Sequence, residues 1–424
     1  MAAGLARGVS RLENVLVSDD ILATRDCLQS LGARITGTDS APVIQGLEGR
    51  ILVHGDRPVR LDVGESGTTC RLVAAIAAAG EGSFEIFGRG RMHERPIISL
   101  GESLQNQGVV FQYLQDHGCP PLRVHTSGLP GGEIDVSLEE SSQYLSGLLL
   151  AGTMARSTLV IGISGEKVVS WPYVDLTMQV MEHFENAPEV HVLKNGQWQK
   201  AGPDRADSAR PGQIRFAVHP GVFSPAAYRV EGDFSNASYL LAAGAIGDFP
   251  VEVSGLEMHS RQGDRRILDI LKLMGAEVSS TAKGILVRRN RLQGVDLDMG
   301  TCPDLVPTVA VVASMARGRT RISNVRHLRI KESDRLAGVQ QEISRAGCTC
   351  LLREDGLDIE PGALPRGRTV EFHTYGDHRM AMSLALYELA GVKAALDNPF
   401  CVNKSFPGFW EEWVKVRRAY SISG

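Results

Sequence analysis

The 424-residue sequence has no run of eighteen apolar residues, no Cys-x-x-Cys pair and no basic excess. Without a long apolar run, no membrane-spanning helix is expected. The opening Met1-Ala-Ala-Gly-Leu-Ala-Arg-Gly8 has no basic head followed by an apolar stretch, so no secretory signal is expected. Basic residues number 45 and acidic ones 49, a formal charge of −4, which argues against a nucleic-acid partner. Seven cysteines are scattered apart from Cys348 and Cys350, and neither a zinc site nor a disulfide framework follows from them. What remains is 43% apolar and 22% charged, the balance of a globular chain of two or three domains in a reducing, cytoplasmic compartment.

What the sequence does contain is a repeat. Polar cap residues lead into an apolar helix rich in Ala and Leu, then a small residue, then a short strand. The copies start at Gly64-Glu-Ser-Gly-Thr-Thr-Cys-Arg71, Ser141-Ser-Gln-Tyr144, Ser235-Asn-Ala-Ser-Tyr239, Asp304-Leu-Val-Pro-Thr308 and Asp377-His-Arg-Met380. Their closing small residues stand at 82, 157, 247, 318 and 391, and Gly8 reads as the close of a sixth copy. The intervals are 74, 75, 90, 71 and 73 residues. The long one contains 186–211, rich in Pro, Gly, Asp and Arg, which reads as a loop or hairpin insertion. Strands alternating with two helices per copy predict an α/β fold of six units, three per domain, dividing at 1–226 and 227–424. The first closing residue comes so early that its helix start is expected ahead of Met1.

A helix N-terminus leaves N–H groups unpaired and carries partial positive charge, so it suits anions. Capping alone also explains Ser, Asp and Gly at these starts. The neighbouring cations favour the anion reading: Arg95 in Arg91-Met-His-Glu-Arg-Pro-Ile97, Lys331 and Arg335 in Arg329-Ile-Lys-Glu-Ser-Asp-Arg-Leu336, Arg379 after Tyr375-Gly-Asp-His378, and Lys404 in Asn403-Lys-Ser-Phe-Pro407. A cation at a helix start opposes the macrodipole, unless an anion sits between them. Ser333 is a candidate cap for the helix that carries Arg335. Asp304 has two readings, an N-cap or a proton acceptor held ionised among cations. Glu332 is either an acid–base group or a surface partner of Lys331. Cys70 and Cys302 read as buried packing, because no base partner accompanies either.

At these strings the sequence resembles the 3-phosphoshikimate 1-carboxyvinyltransferase (EPSP synthase) family, over essentially its whole length and in order. Val230-Glu-Gly-Asp233, followed by Ser235-Asn-Ala-Ser-Tyr239, is similar to that family's domain-crossing segment. The resemblance implies a two-domain enolpyruvyl transferase fold, an inside-out α/β barrel of six βαβαββ-type repeats that closes on its substrates. It implies transfer of the enolpyruvyl group of phosphoenolpyruvate to the 5-hydroxyl of shikimate 3-phosphate, with release of phosphate, on the chorismate route to aromatic amino acids. It implies no metal or organic cofactor, and a monomer acting on small molecules. Carried over, Ser141, Ser142, Gln143, Ser170, Asp304 and Lys331 would hold shikimate 3-phosphate. Gly67, Arg95, Gln143, Arg335, Arg379 and Lys404 would hold phosphoenolpyruvate. Asp304 would take the hydroxyl proton, and Glu332 would help move protons at the methylene carbon.

Three positions depart from the family pattern. Its Lys-Ser…Arg motif at the first helix has no counterpart after Met1, Glu65 stands where Asn is frequent, and His327 stands where Asn is frequent. Two other readings therefore accompany the transferase: a weakly active or non-catalytic relative that binds shikimate 3-phosphate, and a UDP-N-acetylglucosamine enolpyruvyl transferase. The second lacks its loop cysteine here, and Lys331-Glu-Ser-Asp-Arg335 favours the shikimate branch.

Overall fold

The computed structural model describes residues 1–53, 55, 57–115, 118–202 and 209–423. The chain forms two compact units, Met1–Val230 and Glu231–Gly424. The first unit runs four residues beyond the 226/227 division read from the sequence. The cause is the strand Ala227–Arg229, which pairs in parallel with Val9–Glu13 and hydrogen-bonds through Ala226 N to Ser10 Oγ at 3.3 Å.

The repeat is visible in the element order. In the first unit, Val59–Asp62, Gly67–Ala78, Glu81–Phe87, Ile98–Gln105, Val110–Tyr113 and Leu122–Ser127 run strand, helix, strand, helix, strand, strand. The second unit repeats that order from Asp296–Asp298 to Leu357–Glu360. In both copies the first two strands pair in parallel, and the last strand lies antiparallel between the second and the third. A parallel pair needs a crossover, and the first helix of each copy supplies it. Each unit has three sheets among the described residues; in the second unit the first, Val251–Ser254, Gly284–Arg288 and Glu277–Ser280, has antiparallel pairs alone, and the last is the pair Thr369–Phe372 and Lys393–Leu396.

The crossover helices are buried on nearly every side, so they fill the middle of each unit instead of presenting one face to it. In the second unit, Phe234–Ile246, Val306–Ser314 and His378–Ala385 are buried at nearly every position. Their few polar groups satisfy one another: Thr308 Oγ1 lies 3.3 Å from both Ser238 Oγ and Ser383 Oγ. In the first unit, Gly67–Ala78 packs on Gln143–Gly152 at Gly147. A Cβ there would lie 2.8 Å from Ala75 Cβ and 3.0 Å from the Arg71 carbonyl oxygen.

The long third interval holds a hairpin, Glu189–Lys194 against Gln197–Lys200, added at the edge of the third sheet. Its two-residue turn is Asn195-Gly196, with φ of 51° and 76°, the left-handed pair that a tight hairpin needs. Residues 203–208 of the 186–211 insertion lie outside the described residues.

Gly147→Ala is expected to lower stability by about 1–3 kcal/mol, because the new methyl group must spread two close-packed helices. Denaturant unfolding monitored by far-UV circular dichroism measures it; a midpoint equal to the wild type would show that the contact yields freely.

Candidate active site

In the first unit the site residues gather around two arginines. Ser66 caps the Gly67–Ala78 helix, accepting from Thr69 N at 3.2 Å, and the helix therefore starts at Gly67. A side chain at position 67 would collide with the guanidinium of Arg95 and come within 2.7 Å of Arg71 Nη1. Glycine is needed because two cations press against the backbone. Arg71, one helical turn on, donates to the Gly67 carbonyl at 3.2 Å, to Gln143 Oε1 at 3.2 Å and to the Pro96 carbonyl at 3.1 Å. Gln143 in turn donates to Thr68 Oγ1 at 2.7 Å. Arg95 donates to the Glu65 carbonyl at 3.2 Å. Both arginines are buried.

Ser141 and Ser142 precede the Gln143–Gly152 helix, and Ser141 Oγ accepts from Gln143 N at 3.2 Å. The structure thus brings Gly67, Arg95, Ser141, Ser142 and Gln143 together. Ser170 is buried, holds a left-handed φ of 55°, and leads into the Pro172–His183 helix. That helix joins the group indirectly, through Thr177 donating to Ser146 at 2.8 Å. The carboxylate of Glu65 is exposed and lies against Gly90.

In the second unit Arg335 is the centre. It is the first residue of the Arg335–Arg345 helix, and its side chain is 1% exposed. The guanidinium donates to Asp377 Oδ2 at 2.7 Å, to Glu332 Oε2 at 2.7 Å and to Asp304 Oδ1 at 2.8 Å. Arg379 holds the other Asp304 oxygen at 3.0 Å and donates to Ser235 Oγ at 2.8 Å. Lys404 donates to the other Glu332 oxygen at 2.9 Å. Lys331 acts on Asp304 through its charge. Every site residue expected in the second unit belongs to this one network.

The network corrects three readings of the sequence. Asp304 is not a helix cap: it lies in the 3₁₀ turn Pro303–Leu305, and both of its oxygens accept from arginines. Glu332 is not a surface carboxylate, since it is largely buried and Arg335 and Lys404 hold its two oxygens. Ser333 does not cap the helix. Asp334 does, accepting from Ala337 N at 3.0 Å, which frees Ser333 to donate to Asp377 at 3.0 Å.

Electrostatics follow from that geometry. Burial pushes the Asp304 carboxyl upward, but Arg379, Arg335 and Lys331 outweigh it and hold the group well below the usual carboxylate range. Asp377, fully buried, is likewise depressed, because Arg335 overcomes the effect of burial. Burial draws Arg335 down, and the three carboxylates more than restore its hold on the proton. His378 goes the other way: burial, aided by the Arg379 charge, lowers it to about 3, so its imidazole is neutral. Cys70 and Cys302 are buried thiols pushed up to about 11 and about 12 by burial, which fits the packing role read for them.

Two residues escaped the sequence reading. Arg71 stands one helical turn after Gly67, a spacing that marked it as facing the same site. Asp377 heads a repeat copy and caps His378–Ala385, as its place at a helix start leads one to expect, accepting from Arg379 N at 2.9 Å; its pairing with Arg335, 42 residues away, has no sequence signal.

Asp377→Asn leaves Arg335 with one counterion fewer in a buried place, and a loss of about 3–5 kcal/mol is expected. Asp304 and Asp377 both have folded pKa values below the unfolded value of about 3.9. Their contribution to stability is therefore complete above that value and is lost as pH falls toward the folded pKa values. Unfolding midpoints across acidic pH should drop less steeply in the Asp377→Asn variant; parallel profiles would contradict this.

The model of the family EPSP synthase (3-phosphoshikimate 1-carboxyvinyltransferase) matches residues 1–413. A 3-phosphoshikimate 1-carboxyvinyltransferase of Edwardsiella ictaluri is 38% identical over 415 residues, covering 97% of this chain and 91% of that protein. One from Shewanella amazonensis is 36% identical over 422 residues, covering 99% and 93%. Among solved structures, EPSP synthase from Acinetobacter baumannii superposes with a TM-score of 0.73 at 22% identity, covering 98% of this chain and 92% of that one. The enolpyruvyl transferase NikO from Streptomyces tendae gives 0.70 at 17% identity, covering 98% and 91%. The solved structures share the fold, and the family match and the closely aligned relatives go further: this chain belongs to the EPSP synthase family.

Proposed function

We propose that this chain performs the reaction for which its family is named, moving the enolpyruvyl group of phosphoenolpyruvate to the 5-hydroxyl of shikimate 3-phosphate and releasing phosphate. The observation that carries the assignment of roles is the Arg335 network. Four cations, Lys331, Arg335, Arg379 and Lys404, are held by three carboxylates, Asp304, Glu332 and Asp377. Such a group is suited to bind an anion that competes for the same guanidiniums.

In this reading Arg335, Arg379 and Lys404 take the carboxylate and phosphate of phosphoenolpyruvate, together with Gly67, Arg95 and Gln143. Ser141, Ser142, Gln143, Ser170 and Lys331 take shikimate 3-phosphate. Arg71 positions Gln143 and the Gly67 backbone and touches neither substrate in this scheme. As the guanidiniums turn to substrate oxygens, Asp304 loses the cations that hold its proton affinity down. Its affinity rises when the substrate hydroxyl must give up its proton. Glu332, bound to Lys404, is the group that exchanges a proton with the methylene carbon. The new C–O bond forms at the carbon that carries the phosphate ester oxygen, and phosphate leaves as that proton returns. Preorganised cations stabilise the charge that spreads over the departing phosphate.

The test is release of inorganic phosphate by this chain given both substrates, with each substrate alone as control. Asp304→Asn should lower turnover by about 10²–10⁴-fold while both substrates still bind. Phosphate release equal to the wild type would remove Asp304 from the proton transfer. No release by the wild-type chain would favour the reading of a relative that binds shikimate 3-phosphate without turning it over.

A further inference from the structure

The second unit carries another cationic cavity, far from Asp304. It has a volume of about 930 Å³ and lies where the central helices end. Ser314, the last residue of Val306–Ser314, lines it, and Asp304 precedes the other end of the same helix. At 1.5 Å per residue the two positions are roughly 15 Å apart. Among the described residues, four arginines line the cavity, Arg289, Arg291, Arg317 and Arg366, against one acid, Asp248.

Backbone hydrogen bonds fix the segments that bear these arginines. Arg317 N donates to the Leu292 carbonyl at 2.9 Å, and Gly294 N to the Arg317 carbonyl at 2.7 Å, which sets the Arg291 and Arg317 segments side by side. Gly367 N donates to the Gly391 carbonyl at 2.7 Å, tying the Arg366 segment to the end of the turn Leu386–Ala390. Asp248 pairs with Arg289. Among the described residues, Arg291, Arg317 and Arg366 have neither a carboxylate partner nor a side-chain hydrogen bond.

Arginines near helix C-termini have an ordinary role, donating to the last carbonyls and offsetting the dipole. These three make no such bond, so their N–H groups remain uncommitted. Three like charges around one cavity repel one another unless an anion or solvent intervenes. Guanidinium forks match phosphate and carboxylate oxygens, and the volume lies within the range of small-ligand sites.

We propose that this cavity binds a small polyanion, one carrying two or more phosphate or carboxylate groups, at a site separate from the Arg335 network. The pairing of Asp248 with Arg289 leaves three guanidiniums for the ligand, so a singly charged anion is a poor match and a multiply charged one a good match.

Calorimetric titration at low ionic strength, where screening is weak, tests this with inorganic tripolyphosphate, citrate and orthophosphate as probes. Tripolyphosphate or citrate should bind more tightly than orthophosphate, and which of the two binds better identifies a phosphate or a carboxylate ligand. The triple variant R291Q/R317Q/R366Q should lose at least about tenfold in affinity, on the basis of charge-assisted pairs removed. The Arg335 network can take the same probes, so the cavity is also read in Arg379→Gln, which weakens the network: that variant should keep the tight polyanion event, and adding R291Q/R317Q/R366Q should remove it. Asp248→Asn, which removes the acid that lines the cavity, should tighten polyanion binding, and this variant keeps the test open if the triple variant does not fold. Equal affinity in the wild type and the triple variant, equal affinity in the wild type and Asp248→Asn, a loss in Arg379→Gln as large as in the triple variant, or no binding of any probe would each overturn the proposal.

Discussion

A buried guanidinium must be paired, and the candidate site of the second unit is organised by that requirement. Arg335 is almost wholly removed from solvent, where an uncompensated charge would be prohibitively costly. Three carboxylates from three separate segments meet it. Asp377 comes from the start of the His378–Ala385 helix, Asp304 from the turn before Val306–Ser314, and Glu332 from the connector before the helix of Arg335 itself. Two central crossover helices and one outer helix are thereby held in fixed relation at one end. Asp377 serves twice, since the carboxylate that pairs with Arg335 also caps a helix.

The same pairing shapes the chemistry. Asp304 and Glu332 are each shared between two cations and Asp377 is held by Arg335, so the cationic groups are already in place before any anion arrives, and little ordering remains to be done. The cost is competition, because an incoming anion must displace acids that already have good partners. That competition makes the acids responsive. Asp304 is a weak base while Arg335 and Arg379 hold it, and a stronger one when they let go. His378, pressed among these charges, stays neutral and adds no cation.

Much of this was legible in the sequence, and particular residues show why. The repeat could be counted because crossover helices buried on every side are rich in Ala and Leu and end at small residues. The clustering of Arg335 and Arg379 followed from cations placed at helix starts, where the dipole disfavours them, whereas Lys404 ends the 3₁₀ turn Pro399–Lys404 and carries no such signal. The partners were harder to read. Asp334 and Ser333 are adjacent and both are good caps, so only the position of Asp377 shows that Ser333 is used elsewhere. Asp304 looked like a cap because it precedes an apolar helix, and the arginines that claim it are 31 and 75 residues away. Arg71 was passed over inside a string chosen for its glycine. The insertion within 186–211 reads as either a loop or a hairpin, and Asn195-Gly196 specifies the tight turn of the hairpin that forms.

The most direct test of the central claim is the identity of the product formed from phosphoenolpyruvate labelled with ¹³C at its vinyl carbons, with shikimate 3-phosphate, followed by ¹³C nuclear magnetic resonance. An enolpyruvyl transferase built on the Arg335 network should carry both labelled carbons, still as a vinyl group, into an ether of the acceptor, with one phosphate released for each. Label appearing as pyruvate, or remaining in phosphoenolpyruvate when both substrates are saturating, would contradict it.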